Sequence, residues 1–524
     1  MTTGKRTPRS ARTLPGRAPA LALALAALAC PALAGSGGAN PPPAGSPATL
    51  PGVVFSTYLG GTVADQAWAI AVDAQGNSYI TGYTASSDFP TLNAYQPVSG
   101  GQGDAFVSKF APDGALVYST YLGGNYLDVA TAIAVDAQGS AYVTGWTGSV
   151  DFPLVNALDP TYNGSWDAFV AKLAPDGQSL VYSTYLGGTG EENADAIAVD
   201  ASGSAYLTGE TQSTDLPLVN AFQTQLGGSE DAFVAKLSPA GDALVYSTYL
   251  GGALGGETGL GVAVDAAGEA HVTGWTTAGD FPTANAFQGS LRGIWDVFVA
   301  KLGAAGDTLV YSTFLGGNDV EYVDEGRAIA LDAEGTAYVT GFTGSTDFPL
   351  LDAYQSFYGG QIDIFVSRLA GDGQLLSSTY LGGGNTDTGN GIAVDGARNF
   401  VVAGLTLSAD YPVLDPLQPT MAGFEDPVVT RFKPDGLVLD FSTYYGGDLG
   451  GREEFGATGV ALGPEGSLYL VGQTSTLDFP LVAAQQPFCG GSYDAFAVRL
   501  TGALFRDGFE SGTTGAWSAT VGGP

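Results

Sequence analysis

Histidine, cysteine and methionine are almost missing from this sequence: one, two and two residues respectively among 524. A single histidine leaves little from which to build a His-ligated metal centre or a His-dependent catalytic triad. Charge is scarce as well, with Asp, Glu, Lys and Arg making up 13% of the chain. The charge that is present has mainly one sign, 18 basic against 52 acidic residues, a net −34. Such a field repels phosphate backbones, so nucleic acid is not an expected partner. Hydrophobic residues at 45% exclude a disordered acidic tail, because there is ample apolar surface to bury. No nucleophile elbow, phosphate loop, dinucleotide fingerprint or metalloprotease motif occurs.

What is present begins with an export signal over residues 1–34. Lys5, Arg6, Arg9, Arg12 and Arg17 form a basic region, and the apolar stretch 18–29 after it is too short to span a bilayer. Ala32-Leu33-Ala34 then offers a cleavage site, which implies a secreted, periplasmic or cell-surface product. Ala27-Leu28-Ala29-Cys30 loosely resembles a lipobox, but Ala27 and Leu28 both fit it poorly, so lipidation at Cys30 is the lesser expectation. Removing residues 1–34 takes five cations and no acids, leaving a net −39 and Cys489 alone, with no internal disulfide to form. Residues 35–52, with Pro41-Pro42-Pro43, are expected to be a leader, and 501–524 a short tail. The mature chain has no candidate transmembrane helix, and a monomer is expected.

Residues 53–500 are one motif written seven times. Ser-Thr-Tyr-Leu-Gly-Gly, Ala-Val-Asp-x-x-Gly, Asp-Phe-Pro and Asp-Ala-Phe-Val-x-Lys recur in order, and from Asp104 to Asp494 their mean spacing is 65 residues. Within a unit, alternation of period two predicts strands over 69–73, 78–82, 104–110 and 116–122, separated by turns such as Asp73-Ala74-Gln75-Gly76. Four antiparallel strands in each of seven units predict an all-β fold, a seven-bladed propeller. The chain opens on a fourth strand, Val53–Leu59, and closes its last repeat on a third, Asp494–Leu500. Pairing of the two ends is therefore expected to complete the final blade and remove its free edge. These units resemble the SBBP family of bacterial β-propeller repeats over about 53–500, and their first hairpin is also similar to NHL-type blades. The resemblance implies a fold and an exported address, and no reaction. Residues 504–524 resemble a short terminal segment common on secreted proteobacterial proteins.

Three recurring positions are candidates for chemistry. Asp65, Asp128, Glu192, Glu257, Asp324 and Asp387 lie five residues before the first strand's apolar run, where Phe455 stands in the seventh repeat beside Glu454. In fourth-to-first loops they would ring the channel mouth, and carboxylates at that density suit Ca²⁺. The reading we favour is that each acid shapes its own loop by accepting backbone N–H groups. The Asp of Asp-Phe-Pro (Asp88 and its six counterparts) is expected to cap the amides that follow it. Lys109, Lys172, Lys236, Lys301, Arg368, Arg431 and Arg499 share one third-strand position and are expected to pair with a repeated Asp, since a strand covered on both faces cannot leave a charge alone.

Individuality is expected where the repeat varies. Tyr83, Trp146, Trp275 and Phe342 share a rim position with Glu210, Leu405 and Gln473, and their rings could stack on sugars or simply pack between blades. His271 replaces a strand Tyr and reads as a packed residue. The function expected is a non-catalytic scaffold binding a protein or a polysaccharide. The alternative is a carboxylate-based glycosidase or lyase, Ca²⁺-dependent or not, for which two acids suffice.

Overall fold

The computed structural model describes residues 52–318, 323–448 and 456–502. The expected export signal, Cys30, nearly all of the expected leader, the residues beyond 502, Glu454 and Phe455 lie outside the described residues. The rest is seven four-stranded antiparallel sheets, each built from consecutive strands except the last. Blade 1 is Asp65–Val72, Ser78–Thr84, Asp104–Phe110 and Leu116–Leu122. Blades 2 to 6 repeat it over 128–186, 192–250, 257–315, 324–381 and 387–444. The first strands of neighbouring blades touch in sequence, and the first strand of blade 7, Ala457–Leu462, meets that of blade 1, so the ring is closed.

Third and fourth strands of blade 1 fall where the alternation places them, but the first begins at Asp65, four residues earlier than expected. A β-bulge between Ala67 and Ala69 is the reason, because an inserted residue breaks the two-residue period that marks a strand. The bulge recurs in all seven first strands. It turns one side chain toward the next blade. Thr131 Oγ1 donates to the Ala194 carbonyl, Asn390 Nδ2 to that of Ala457, and Thr458 Oγ1 to that of Ala67. Apolar packing follows the same seams: Tyr79, Val107 and Tyr118 of blade 1 share a core with Ala130, Ile133 and Val143 of blade 2.

The third-strand cations sit on the side opposite the fourth-to-first loops. Each partner is the hairpin aspartate of its own blade in blades 2, 3, 4 and 6: Lys172 with Asp136 (3.2 Å), Lys236 with Asp200 (3.7 Å), Lys301 with Asp265 (3.0 Å) and Arg431 with Asp395 (2.8 Å). The ammonium groups of Lys109, Lys172 and Lys236 also lie over the rings of Tyr79, Tyr142 and Tyr206. Blade 7 has Gly463-Pro464-Glu465-Gly466 in place of that aspartate turn, and Arg499 reaches instead to the Pro112 carbonyl of blade 1. Replacing Lys236 with Met should cost under about 1 kcal/mol, since the Tyr206 face can pack against it. Asp200→Ala should cost about 2–4 kcal/mol, because it strips the Ser202 and Ser204 amides of their acceptor and leaves the ammonium without its carboxylate. Urea unfolding of the two variants gives the ordering, and equal losses would refute it.

The last blade has the strand order Val53–Leu59, Asp494–Leu500, Leu468–Thr474, Ala457–Leu462. Its outer strand comes from the other end of the chain, in antiparallel register from Val53 opposite Leu500 to Leu59 opposite Ala495. Phe55 and Leu59, 1% and 3% exposed, are thereby sealed against Phe106, Phe110 and Ala497. Deleting 53–59 should uncover a sheet edge and part of that core, lowering the thermal midpoint and promoting association. Light scattering and calorimetry of the truncation check this, and an unchanged midpoint would refute closure as a stabilising device.

Candidate ligand-binding face

The six acids expected in a ring are the first residues of the first strands, not loop residues at a solvent-filled mouth. All six are buried, with at most 1% exposure. Asp65 shows the arrangement. Its Oδ1 accepts from Thr84 Oγ1, the last residue of the second strand, at 2.5 Å, while its Oδ2 accepts from Ser86 Oγ at 2.9 Å and the Gly61 amide at 2.7 Å. The same set of donors recurs around Asp128 and Asp387. Each acid thus ties the Gly-Gly turn that enters a blade to the end of that blade's second strand. Among the described residues, no three His, Cys, Asp or Glu side chains gather so as to hold a metal ion.

A second carboxylate closes each junction. A Cβ on Gly123 would lie 2.6 Å from Asp104 and 2.7 Å from Asp128, so the glycine passes between the acid of one blade's third strand and the acid opening the next. Burial pushes Asp128, Glu257 and Asp363 up to about 7, with the repulsion of Asp104, Asp231 and Asp387 adding to it. Burial likewise raises Asp167, Asp231, Asp324, Asp387 and Asp494 to about 6. The Asp of Asp-Phe-Pro does not cap the amides after it. Asp88 accepts the Thr62 amide and hydroxyl, 26 residues back in the fourth-to-first loop, and these bonds hold its carboxyl below the usual range.

The variable residues lie on the face that carries these loops. Trp146 packs edge-on against Trp166 with ring centroids 4.7 Å apart, and Tyr126, 45% exposed, borders the pair. Trp275 packs in the same way against Trp295, at 4.3 Å. Tyr83 is half-buried beside Gly103, while Phe342 is buried under the Arg327 guanidinium, 4.7 Å away, and is not part of the open surface. His271 is fully buried, 3.5 Å from Asp265, and burial holds it down at about 4.

Sequence reading missed a position: the residue before the third strand, which supplies Trp166 and Trp295. It pairs as a short parallel bridge with the residue before the next blade's first strand, as Trp166 does with Glu191 and Glu230 with Gly256. Blade 3 therefore presents glutamate at all three rim positions, Glu191, Glu210 and Glu230, between the tryptophan pairs of blades 2 and 4. Glu210 accepts from Asn193 Nδ2 and, across the seam, from Thr258 Oγ1, both at 2.7 Å; Thr258 stands opposite Trp275. Burial, then the charges of Glu210 and Glu191, raise the carboxyl of Glu230. A period of 65 residues hides this convergence, because the side chains meet across blade seams.

Three segments of the chain, residues 54–90, 117–153 and 245–282, match the SBBP family model described as "Beta-propeller repeat". A regulatory protein of Caulobacter vibrioides, FlaEY, is 26% identical over 260 residues, 46% of this chain. The match spans 26% of that protein's length. Similar solved structures include Sqt1 from Chaetomium thermophilum (10% identity, 81% and 83% of the two chains, TM-score 0.40). A WD40 domain of Toxoplasma gondii coronin gives 8%, 85% and 84%, and 0.42.

The paired carboxylates dictate a pH profile. Groups raised on folding stabilise the fold when protonated, and that contribution is lost as pH climbs from their unfolded values of about 4 through their folded values of about 6–7. The hairpin aspartates Asp73, Asp136, Asp200 and Asp265 act oppositely. Asp265, where the Glu269 amide and Lys301 outweigh burial, is held at about 2, so its contribution fades only as pH falls below about 4. Stability should therefore peak at about pH 4. Asp128→Asn, whose amide can donate to Thr147 Oγ1, should flatten the decline between about pH 4 and 7. Thermal midpoints across that range check both statements; stability that rises steadily to pH 8 would refute them.

Proposed function

We propose that this chain is an exported, non-catalytic propeller scaffold that binds a protein or a glycan at the cell surface or in the periplasm. Its binding surface is the face formed by the fourth-to-first and second-to-third loops. One observation carries the reading. The repeat is kept where side chains hold the blades together and abandoned at the rim, where Trp146, Glu210 and Trp275 occupy equivalent places. Packing alone would tolerate one residue type there, as it does at the third-strand aspartate, so the variation points to a ligand that differs from blade to blade. The half-buried tryptophans offer large rigid contact area, the usual anchor of a recognition surface. The name of the Caulobacter relative, a regulatory protein, fits a binding role better than a catalytic one. Export rests on residues 1–34, and the mature protein should begin near Gly35.

Glycan and peptide arrays probed with the mature protein test the reading. Binding should be lost in Trp146→Ala/Trp275→Ala while the thermal midpoint stays within about 5 °C, since neither ring lies in an interblade core. Retention of every array signal by the double variant would overturn it, as would the absence of any ligand on both arrays.

A further inference from the structure

The arc from blade 2 to blade 4 has a charge with no counter-ion. Among the described residues, Glu191, Glu210 and Glu230 form no ion pair, although every third-strand cation nearby is committed on the opposite side of the ring. The three are half-buried, in a chain whose field already favours the approach of cations. Two further atoms in the arc are shielded from water and lack partners: the Trp295 Nε1 donor and the Asn193 Oδ1 acceptor. Asn193 spends its amide N–H on Glu210, so its oxygen faces a missing donor. The three carboxylates and the Asn193 acceptor lie between two tryptophan pairs, one of which carries the unpaired donor.

Resting on the proposal that this face binds a ligand, we propose that the arc receives a cationic polypeptide segment. Lysine or arginine side chains occupy the glutamate centre and pack against the indoles. A neutral glycan could stack on the same rings but would leave three mutually repelling carboxylates uncompensated. A cation removes that repulsion, and an indole face adds attraction for it. A metal ion is disfavoured because the three carboxylates do not converge on a point.

Four of the six tryptophans lie in the arc, which makes their fluorescence a direct readout. The mature protein is titrated with tetra-arginine and with a tetra-serine control at moderate salt, which suppresses loose counter-ion association. Saturable tetra-arginine binding with a fluorescence change is expected, and none with tetra-serine. Glu191→Gln/Glu210→Gln/Glu230→Gln should weaken binding by about ten-fold or more, equivalent to about 1.4 kcal/mol. Asp113→Asn/Asp176→Asn/Asp242→Asn removes the same charge from exposed turns on the opposite face and should change it less than about two-fold. Equal weakening in both variants would show charge attraction without a site and overturn the proposal, as would no binding at all. If the arc is instead saturated by a neutral oligosaccharide in both wild type and the glutamate variant, the cationic assignment fails while the binding face stands.

Discussion

Everything in this ring depends on a buried carboxylate at the start of blades 1 to 6 that accepts hydrogen bonds from the entering turn and from the end of the second strand. Asp128 holds the Gly124 amide, the Thr147 hydroxyl and the Ser149 hydroxyl, and so fixes the entry to one blade against the exit of its second strand. Neither oxygen is wasted, and neither is solvated. The cost is desolvation, visible as a carboxyl pushed toward neutrality. The protein tolerates that cost six times because the alternative is orphaned amides in turns that must be tight. Gly123 and Gly124 follow from the same constraint: a side chain on Gly123 would strike both acids.

The seams between blades explain the remaining regularities. A propeller has no shared central core, so each junction must be self-sufficient in apolar contact and in hydrogen bonding. Bulged first-strand residues supply bonds near the axis, the carboxylate junctions supply them on one face, and the cation–aspartate–tyrosine sets supply them on the other. Closure by Val53–Leu59 makes the seventh blade like the others, with Ser56 Oγ bonded to the Pro480 carbonyl 424 residues away as Ser312 Oγ is to that of Pro282 in blade 4.

Blade number, closure and most strand limits were legible in the sequence because turn residues and alternation are local signals. The bulge was not, since one extra residue cancels the alternation from which a strand is read, and so Asp65 was placed in a loop. The pairing of third-strand cations with hairpin aspartates was anticipated in kind, while the partner blade had to be seen. The tryptophan pairs were half legible. Trp146 and Trp275 stand at a position visible by comparing repeats, but Trp166 and Trp295 come from a different strand start. Only the parallel bridge between blades shows that Glu191 neighbours Trp166.

A repeat protein of this kind can acquire an individual function only at positions released from the demands of the seam. At the third-strand aspartate there is no such release: Asp104, Asp167 and Asp231 all accept amides of the preceding turn. The residue just before it bonds through backbone alone, as Trp166 does to the Glu192 amide, and leaves its side chain unconstrained. The penultimate residue of the second strand has its backbone paired on both sides, while its side chain ranges from the half-buried Trp146 and Trp275 to the buried Phe342. Two such positions from one blade and one from the next meet at a seam, as Trp146, Trp166 and Glu191 do between blades 2 and 3. Blade 3 carries glutamate at all three of its own positions, while blades 2 and 4 each carry a tryptophan pair at two of theirs. Adjacent patches of different character make a continuous surface longer than any single blade could offer, and the ring holds that surface rigid, with Glu210 itself bonded across the seam to Thr258.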